Sequence, residues 1–271
     1  MGHTIVLAHG VLGFGNPLGL PSFVNYFNGV AAHLEGLGHK VIVPQVNPVG
    51  TIAQRGHQLA DAIKAAAPGE KVHIIAHSMG GLDARYAITN IFKSPEPAAT
   101  LITIGTPHLG SPVADAIADK SDPLFAHIPA ILSVPLERNA GALHDLTTDV
   151  GSHFDASTPD VDGVRYIQVA GDASQGGTEL ILFQLAAVIS HLKGCKNDGV
   201  VSRSSALRLR IDPVLDAQGQ PVKMKHENLD DWPGDHASEV GWTLPIGLQI
   251  PILTSPPHLK RYEDLVKMLD S

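Results

Sequence analysis

The sequence predicts an α/β fold in which helices cover both faces of a mostly parallel central sheet. Two observations lead to this prediction. Through the first hundred residues, short apolar runs alternate with amphipathic, helix-like segments. The apolar runs are continuous and do not alternate in polarity, which is typical of parallel strands buried on both faces.

The individual elements follow from these runs in chain order. Strands are expected at Ile5–Ala8, Lys40–Val46, Lys71–Ala76, Thr100–Ile104 and Val164–Ala170. Helices are expected at Pro21–Leu37, Arg55–Ala67, Gly80–Phe92, Glu179–Ser190 and Glu263–Leu269. Near the end of the chain, Ala206–Ile211 and Val222–Lys225 are consistent with a hairpin around Gln218-Gly219.

The regular alternation breaks between Gly110 and about Gly163. This stretch holds short helical pieces punctuated by proline, such as Asp115–Lys120 and Pro129–Val134. A chain of 271 residues fits one domain with a sizeable insertion. We therefore expect residues 1–271 to form one domain, with a lid or cap inserted at about residues 110–163.

Composition and charge narrow the class of protein. The chain carries 19 basic and 27 acidic residues, a net charge of −8, without a Lys/Arg-rich run, so nucleic acid is not an expected partner. The single cysteine, Cys195, excludes an internal disulfide. Met1 leads into the apolar run Thr4–Ala8 without a basic segment, and the longest apolar stretch, Leu180–Ile189, is too short to span a bilayer. We expect a soluble protein without a signal peptide in this chain, either cytoplasmic or secreted after signal removal.

Ser78 is the candidate nucleophile. It lies in the sequence AHSMGG at residues 76–81, between an apolar strand and a helix. Small residues around a serine at a strand-to-helix turn are typical of the nucleophile elbow of α/β-hydrolases, which raises the serine Oγ above the sheet. The alternative is a serine that only caps the following helix. The position between strand and helix favours the elbow.

A glycine-rich segment, HGVLGFG at residues 9–15, follows the first strand. In this fold, one oxyanion donor comes from a loop near that strand and the other from the residue after the nucleophile. We therefore expect the backbone N–H groups of Val11 and Met79 to bind an oxyanion. A plain glycine-rich turn is the alternative, whereas no GK[ST] sequence supports a phosphate-binding loop. His9 is expected to order this loop and to transfer no proton.

Position must select the general base from fifteen histidines. The chain order in this fold is serine, acid, histidine, which leaves His226, His236 and His258. His236 is preferred because the sequence PGDHAS at residues 233–238 has the composition of a loop that presents a side chain. His226 lies in a charged stretch, Lys223–Glu227, typical of a solvated hairpin edge, and His258 follows two prolines.

Two aspartates compete for the role of the acid. Asp198 lies in NDGVVS at residues 197–202, and Asp172 follows Gly171 after a predicted strand. Either carboxylate could instead cap a turn. Asp198 is preferred because the apolar pair after its glycine would anchor the loop. In that assignment Asp198 orients His236, which takes the proton of Ser78 as an acyl-enzyme forms.

Several segments together resemble the bacterial true lipases of the Pseudomonas–Burkholderia–Proteus type. They are Val6–Gly15, His77–Gly81, Gly105–Asp115 and Asn197–Ser202. The resemblance implies a triacylglycerol or carboxyl ester substrate and a mobile lid after the GTPHLGSPVAD block. It also implies a triad of Ser78, Asp198 and His236, with Val11 at the oxyanion position.

The chain departs from that family at two places near the predicted histidine. Secreted members often carry a disulfide near the NDG motif, where this chain has Ser204 and Ser205. Members also hold calcium through an aspartate two residues after the histidine, a position that Ser238 occupies here. Asp230, Asp231 and Glu239 are possible substitutes, but we expect no metal and no cofactor. Packing by Trp232 and Trp242 is then expected to hold the histidine loop.

These features leave more than one function open. The first is a lipase that acts on fatty acyl esters at an oil–water interface, supported by apolar residues at helical spacing in the lid segment: Leu124, Phe125, Ile128, Ile131, Leu132 and Val134. If these residues only pack the cap onto the core, a short-chain carboxylesterase with the same triad is the alternative. Amide, thioester and lactone substrates share the mechanism. A non-catalytic binding protein on the same scaffold is the remote alternative.

Overall fold

Parallel strands form the central sheet of the computed structural model, which describes residues 2–11, 26–177, 180–210, 225–241 and 258–270. The strands are β1 (Thr4–Ala8), β2 (Lys40–Ile42), β3 (Val72–His77), β4 (Ala98–Ile104), β5 (Arg165–Val169), β6 (Gly171–Asp172), β7 (His226–Asn228) and β8 (Trp232–Pro233). Six of them form one sheet in the order β2-β1-β3-β4-β5-β7, and every pairing in it is parallel. The remaining pair, β6 and β8, forms a small separate sheet.

Helices occupy most of the connections between these strands. They are α1 (Val30–Gly36), α2 (Ile52–Ala66), α3 (Met79–Tyr86), α4 (Pro112–Ala118), α5 (Ala130–Glu137), α6 (Ala140–Asp145), α7 (Thr148–Ser157), α8 (Leu180–Lys193), α9 (Arg203–Ala206) and α10 (His258–Lys267). Among the described helices, none is both long and apolar enough to cross a membrane.

Each face of the sheet has its own apolar core, because successive side chains of a strand point to opposite faces. Ile5 of β1 belongs to a core with Val30 of α1 and Tyr262 of α10. Val6, the next residue of β1, belongs to a second core with Leu59 of α2. Helices therefore cover both faces, and the predicted fold class is confirmed.

Two predicted elements near the first strand are shorter than expected. Helix α1 begins at Val30 because Gly29 before it has a φ of 73°, a left-handed conformation that cannot continue a helix. Residues 21–25 of the predicted helix lie outside the described residues. Strand β2 ends at Ile42, and the Val46 N–H donates to His9 Nε2 at 3.2 Å instead of pairing with a strand.

The predicted C-terminal hairpin is wrong wherever the structure describes it. Residues 203–206 form α9, begun by Ser202, whose side chain accepts a hydrogen bond from the Ser205 N–H. Residues 207–210 form no strand, and residues 211–224 lie outside the described part. His226 lies in β7, which pairs in parallel with β5, so this segment is an edge strand of the main sheet. Its short, polar sequence gave no apolar pattern to read.

The stretch between β4 and β5 contains α4 to α7, where the sequence predicts short helical pieces. Buried ion pairs hold α7, the last helix of this stretch. Asp155 of α7 accepts hydrogen bonds from Arg85 at 2.8 Å and from Arg208 at 2.7 Å. Asp145 at the end of α6 accepts from the Ile52 N–H at 2.8 Å, at the first turn of α2. The stretch is thus attached to the helices that follow the central strands.

Candidate active site

Ser78 lies at the sharp turn between β3 and α3. Its φ of 57° and ψ of −135° are unusual for a residue with a side chain, and such strained conformations cluster at functional positions. Gly80 permits the turn, because a Cβ at this position would collide with the carbonyl oxygen of Ala8. The Ser78 side chain makes no capping hydrogen bond to α3, which argues against the simple cap.

The loop after β1 passes directly beside this serine. A Cβ on Gly10 would lie 2.6 Å from the Ser78 Cβ and 2.6 Å from the Tyr26 hydroxyl, so only glycine fits here. Val11 lines the same cavity as Ser78, and Met79 is the first residue of α3. Val11 therefore shares a cavity with Ser78 and Met79 follows Ser78 in the chain, and their role as oxyanion donors stays a prediction.

His9 holds this loop in place through both ring nitrogens. Nε2 accepts from the Val46 N–H at 3.2 Å, so the proton of the neutral ring is on Nδ1, which donates to the Gly10 carbonyl at 2.8 Å. Burial, followed by the nearby Arg55, lowers the pKa of His9 to about 4. A neutral histidine with both nitrogens engaged orders the loop and has no free position for proton transfer.

His236 and Asp198 form a close pair. His236 Nδ1 lies 2.8 Å from Asp198 Oδ2, and the His236 N–H donates to the Asp198 carbonyl at 2.9 Å. Asp198 Oδ1 accepts from the N–H groups of Val200 and Val201 at 2.8 and 2.7 Å. The apolar pair after Gly199 thus anchors the carboxylate, and Val201 is itself buried.

The competing acid and the two competing histidines have partners other than Ser78 and His236. Asp172 accepts hydrogen bonds from Ser174 and Gln175 and pairs with Lys196 at 3.2 Å. His226 Nδ1 lies 4.0 Å from an Asp160 oxygen at the sheet edge, and His258 Nε2 lies 2.6 Å from the carbonyl oxygen of Asn28.

Ser78 and His236 line one cavity of about 110 Å³. Between these two side chains the described structure has no hydrogen bond, a looseness that is common before a substrate is bound. The rest of the wall is mostly apolar, with Leu132 and Leu136 contributed by α5 and Leu182 by α8.

A buried polar chain next to His236 was missed in the sequence. Glu239 Oε2 lies 2.8 Å from His77 Nε2, and His77 Nδ1 lies 2.6 Å from the Tyr26 hydroxyl. The rings of His77 and His236 lie 4.5 Å apart, and Glu239 Oε2 is 3.5 Å from His236 Nδ1. The one available signal was Glu239, three residues after the predicted base, which was considered only as a calcium ligand.

The residues around Ser238 do not fit a calcium site. Ser238 Oγ donates to the Asp235 carbonyl at 2.7 Å. Asp231 pairs with Arg203 at 2.6 Å, Glu239 bonds to His77, and Asp230 is exposed. Among the described residues, one group brings three possible ligand atoms within 4.8 Å of one another, and it consists of His77, His236 and Glu239. Calcium prefers a shell of oxygen atoms, which two imidazoles do not supply.

Packing holds the histidine loop, as expected for Trp232. The Arg261 guanidinium lies 5.1 Å from the Trp232 ring centroid, and Arg261 Nη2 donates to the Pro233 carbonyl at 2.7 Å. Trp232 also contacts the Tyr262 ring, at a centroid distance of 5.8 Å. Trp242 lies outside the described residues. Cys195 is a free, partly buried thiol.

Comparisons with known proteins bear on the family and the fold. Residues 49–174 match the model of the PGAP1-like alpha/beta domain. The chain is 31% identical over 257 residues to triacylglycerol lipase 2 of Saccharomyces cerevisiae, covering 90% of this chain and 74% of that protein. It is 35% identical over 133 residues to a triacylglycerol lipase of Burkholderia plantarii, covering 45% of this chain but only 34% of that protein.

A solved structure, a metagenomic carboxyl esterase, superimposes with a TM-score of 0.72 at 19% identity, covering 100% of this chain and 76% of that one. At this identity the likeness concerns the fold alone, and it confirms the predicted α/β-hydrolase architecture.

Proposed function

Because the chain belongs to the lipase family of the α/β-hydrolases, we propose that it hydrolyses fatty acyl esters, acylglycerols among them, with a triad of Ser78, Asp198 and His236. The chain is a carboxylic ester hydrolase of the lipase and esterase class. The observation that carries the proposal is that the strained Ser78 and the Asp198-bound His236 line one apolar cavity.

The geometry supports a different role for each ring nitrogen of His236. Because Nδ1 is bonded to Asp198, Nε2 is the nitrogen left for Ser78. His236 Nε2 takes the Ser78 proton as Oγ attacks the ester carbonyl, and then gives it to the departing alcohol, which leaves an acyl-enzyme. Water then attacks the acyl carbon while His236 takes its proton, and Ser78 is released with its proton restored.

The oxyanion of each tetrahedral intermediate would be bound by the N–H groups of Val11 and Met79. The Gly10 backbone beside Ser78 supports this assignment, since it brings the loop within contact of the nucleophile. Removing one such donor raises the barrier by about 3 kcal/mol in a serine protease of a different fold.

Residues of the stretch at 110–163 divide into two groups, which supports a lid more than a simple cap. Leu124, Phe125 and Ile128 pack against buried residues of α4 and α8, as the packing alternative requires. Leu132 and Leu136 pack against the same buried residues but also line the cavity, while Val134 between them is 36% exposed on the outer side of α5. We propose that α5 belongs to a lid whose apolar residues meet the acyl chain, which favours a lipase over a short-chain esterase.

The finer assignment to the bacterial true lipases is supported by the motifs that the chain shares with them and by the partial match to the Burkholderia protein. The match to the yeast lipase, which supports the broader lipase family, covers more of the chain than the match to the Burkholderia protein.

Hydrolysis of p-nitrophenyl esters with two to sixteen carbons, together with a triolein emulsion, tests the proposal. We expect activity that extends to long acyl chains and a rise in rate when triolein forms droplets. A preference for acetate without triolein hydrolysis would identify a short-chain esterase. A Ser78→Ala variant that kept full activity would overturn the triad.

A further inference from the structure

Two buried carboxyl groups converge on one nitrogen of His236. Asp198 Oδ2 lies 2.8 Å from His236 Nδ1, and Glu239 Oε2 lies 3.5 Å from the same atom. The Asp198 and Glu239 side chains are 1% and 0% exposed. Two carboxylates that share a buried site do not both ionise readily, since their repulsion is weakly screened there, so one of them retains a proton.

The hydrogen bonds identify which of the two is the anion. Asp198 accepts from the N–H groups of Val200 and Val201 and from His236 Nδ1. A carboxylate that accepts several N–H bonds is stabilised in its charged form. Among the residues that the structure describes, Glu239 Oε1 has no hydrogen-bond partner and Glu239 Oε2 is hydrogen-bonded only to His77. The proton therefore belongs to Glu239.

On this basis, and resting on the triad proposed above, we propose that Glu239 is a neutral carboxylic acid that donates its proton to His77 Nε2 and so acts as a positioning residue. Among the described residues, Asp198 is then the single anion paired with His236 Nδ1. The titratable and charged groups around Glu239 come from several elements and are His77, His236, Asp198, Asp235, Arg261, Tyr26 and Tyr262. Arg261 is the cation among them, and it makes no ion pair with Glu239 in the described part of the chain.

The pKa directions of Glu239 and His77 agree with a neutral Glu239 that donates to His77. Burial, then the charges of Asp198 and Asp235, raise the pKa of Glu239 well above its usual range, with Arg261 acting in the opposite direction. Burial and then His236 lower the pKa of His77 well below its usual range, so His77 is neutral. A neutral His77 that accepts at Nε2 carries its proton on Nδ1, which then donates to the Tyr26 oxygen 2.6 Å away.

This proton distribution matters for the general base. An anionic Glu239 beside Nδ1 would strengthen the hold of His236 on a second proton, and a protonated imidazole cannot accept the proton of Ser78. The acid limb of the pH profile would then lie at higher pH. A neutral Glu239 fixes the His77 ring against the ring of His236 without adding this charge.

Two uncharged substitutions of similar length test the proposal, because one can donate a hydrogen bond and the other cannot. Glu239→Gln can donate to His77 Nε2, whereas Glu239→Met has a similar length and cannot. We expect the acid limb of kcat/KM to stay in place in both variants. We expect kcat to fall by no more than about tenfold in the Gln variant and by clearly more in the Met variant.

A downward shift of the acid limb by about one pH unit in both variants would overturn the proposal, because it would mean that an anion had been removed. Equal kcat in the Gln and Met variants would overturn the positioning role. Infrared difference spectra of wild type against Glu239→Gln, at neutral pH, should show a protonated carboxyl band in wild type only, and its absence would also overturn the proposal. Ser78→Ala distinguishes failure of the Glu239 proposal from failure of the proposed triad, because this variant tests only whether Ser78 carries the reaction.

Discussion

Arg55 and Asp83 form a buried ion pair, with Arg55 Nη2 2.7 Å from Asp83 Oδ2. The same guanidinium donates to the His9 carbonyl at 2.7 Å and to the Asn47 carbonyl at 2.8 Å. Arg55 lies on α2 and Asp83 on α3, while His9 begins the predicted oxyanion loop. One side chain therefore joins two helices to the backbone that flanks Ser78.

Replacing Arg55 is expected to lower both stability and turnover. Arg55→Met leaves Asp83 buried without its partner, which costs about 3–5 kcal/mol in comparable buried pairs. It also removes the donor to the His9 carbonyl, so the oxyanion loop loses a support. Urea unfolding and kcat with a soluble ester measure the two effects.

The double variant Arg55→Met with Asp83→Leu separates these effects. Stability should recover in part, because no charge remains unpaired. Turnover should stay low, because the His9 carbonyl still lacks its donor. Full recovery of kcat in the double variant would show that Arg55 does not support the loop.

His9 is expected to make the protein sensitive to mild acid. Its pKa is lowered to about 4 in the folded chain, against an ordinary value near 6.5. The unfolded chain therefore binds more protons between these values, so the stability due to neutral His9 is complete above about pH 6.5 and is lost as the pH falls towards 4. The expected loss across this window is of the order of 3 kcal/mol.

The free energy of unfolding of wild type and His9→Gln, measured from pH 4 to pH 7.5, isolates this contribution from those of the other histidines. The Gln variant should have the flatter profile. Parallel profiles for the two proteins would contradict the assignment of a neutral, doubly bonded His9.

The sequence predicted those parts of the site that depend on local chemistry. The elbow around Ser78 could be read because strand, turn and helix are consecutive in the chain, and small residues mark the turn. The pair of Asp198 and His236 could be ordered because this fold fixes the sequence of the triad. The continuous apolar runs of β1, β3 and β4 likewise reflect strands that are buried on both faces.

Contacts between distant residues could not be read in this way. His77 and Glu239 are 162 residues apart, and Tyr26 and His77 are 51 residues apart, yet they form one buried chain. No periodicity or motif spacing records such a pairing. The sequence did not predict strand β7 for a different reason. An edge strand of three polar residues, HEN, has no apolar pattern.

Substitution of the two competing acids should separate catalysis from stability. Asp198→Asn is expected to lower kcat by about 10⁴-fold, because His236 loses the partner that fixes its tautomer. Asp172→Asn is expected to keep kcat within about threefold, since the Asp172 carboxylate is bonded to Ser174 and Gln175. Comparable losses of kcat in the two variants would contradict the choice of Asp198.

Asp172 should instead contribute to stability in a pH-dependent way. Burial acts to raise the pKa of Asp172. Hydrogen bonds from Ser174, Gln175 and Lys196 outweigh this effect and hold the pKa of Asp172 below its usual value. The stabilisation is therefore complete above the unfolded value, near pH 4, and is lost as the pH falls through the lower folded value. Thermal unfolding of wild type and Asp172→Asn between pH 2.5 and 6, a range chosen around these values, should show the two curves converging at the acid end.

The outer side of α5 is expected to matter only at a lipid interface. Val134 is 36% exposed, while its neighbours Leu132 and Leu136 line the cavity. Val134→Asp places a charge where an opened lid would meet the lipid, so the rate on triolein emulsions should fall by about tenfold. Hydrolysis of dissolved p-nitrophenyl butyrate should stay within about threefold of the wild-type rate, because the cavity wall is unchanged.

Leu37→Asp is the matched control, since Leu37 is 49% exposed at the end of α1, on a different element. Equal losses on emulsions in both variants would mean that general surface charge, and not the face of α5, governs adsorption.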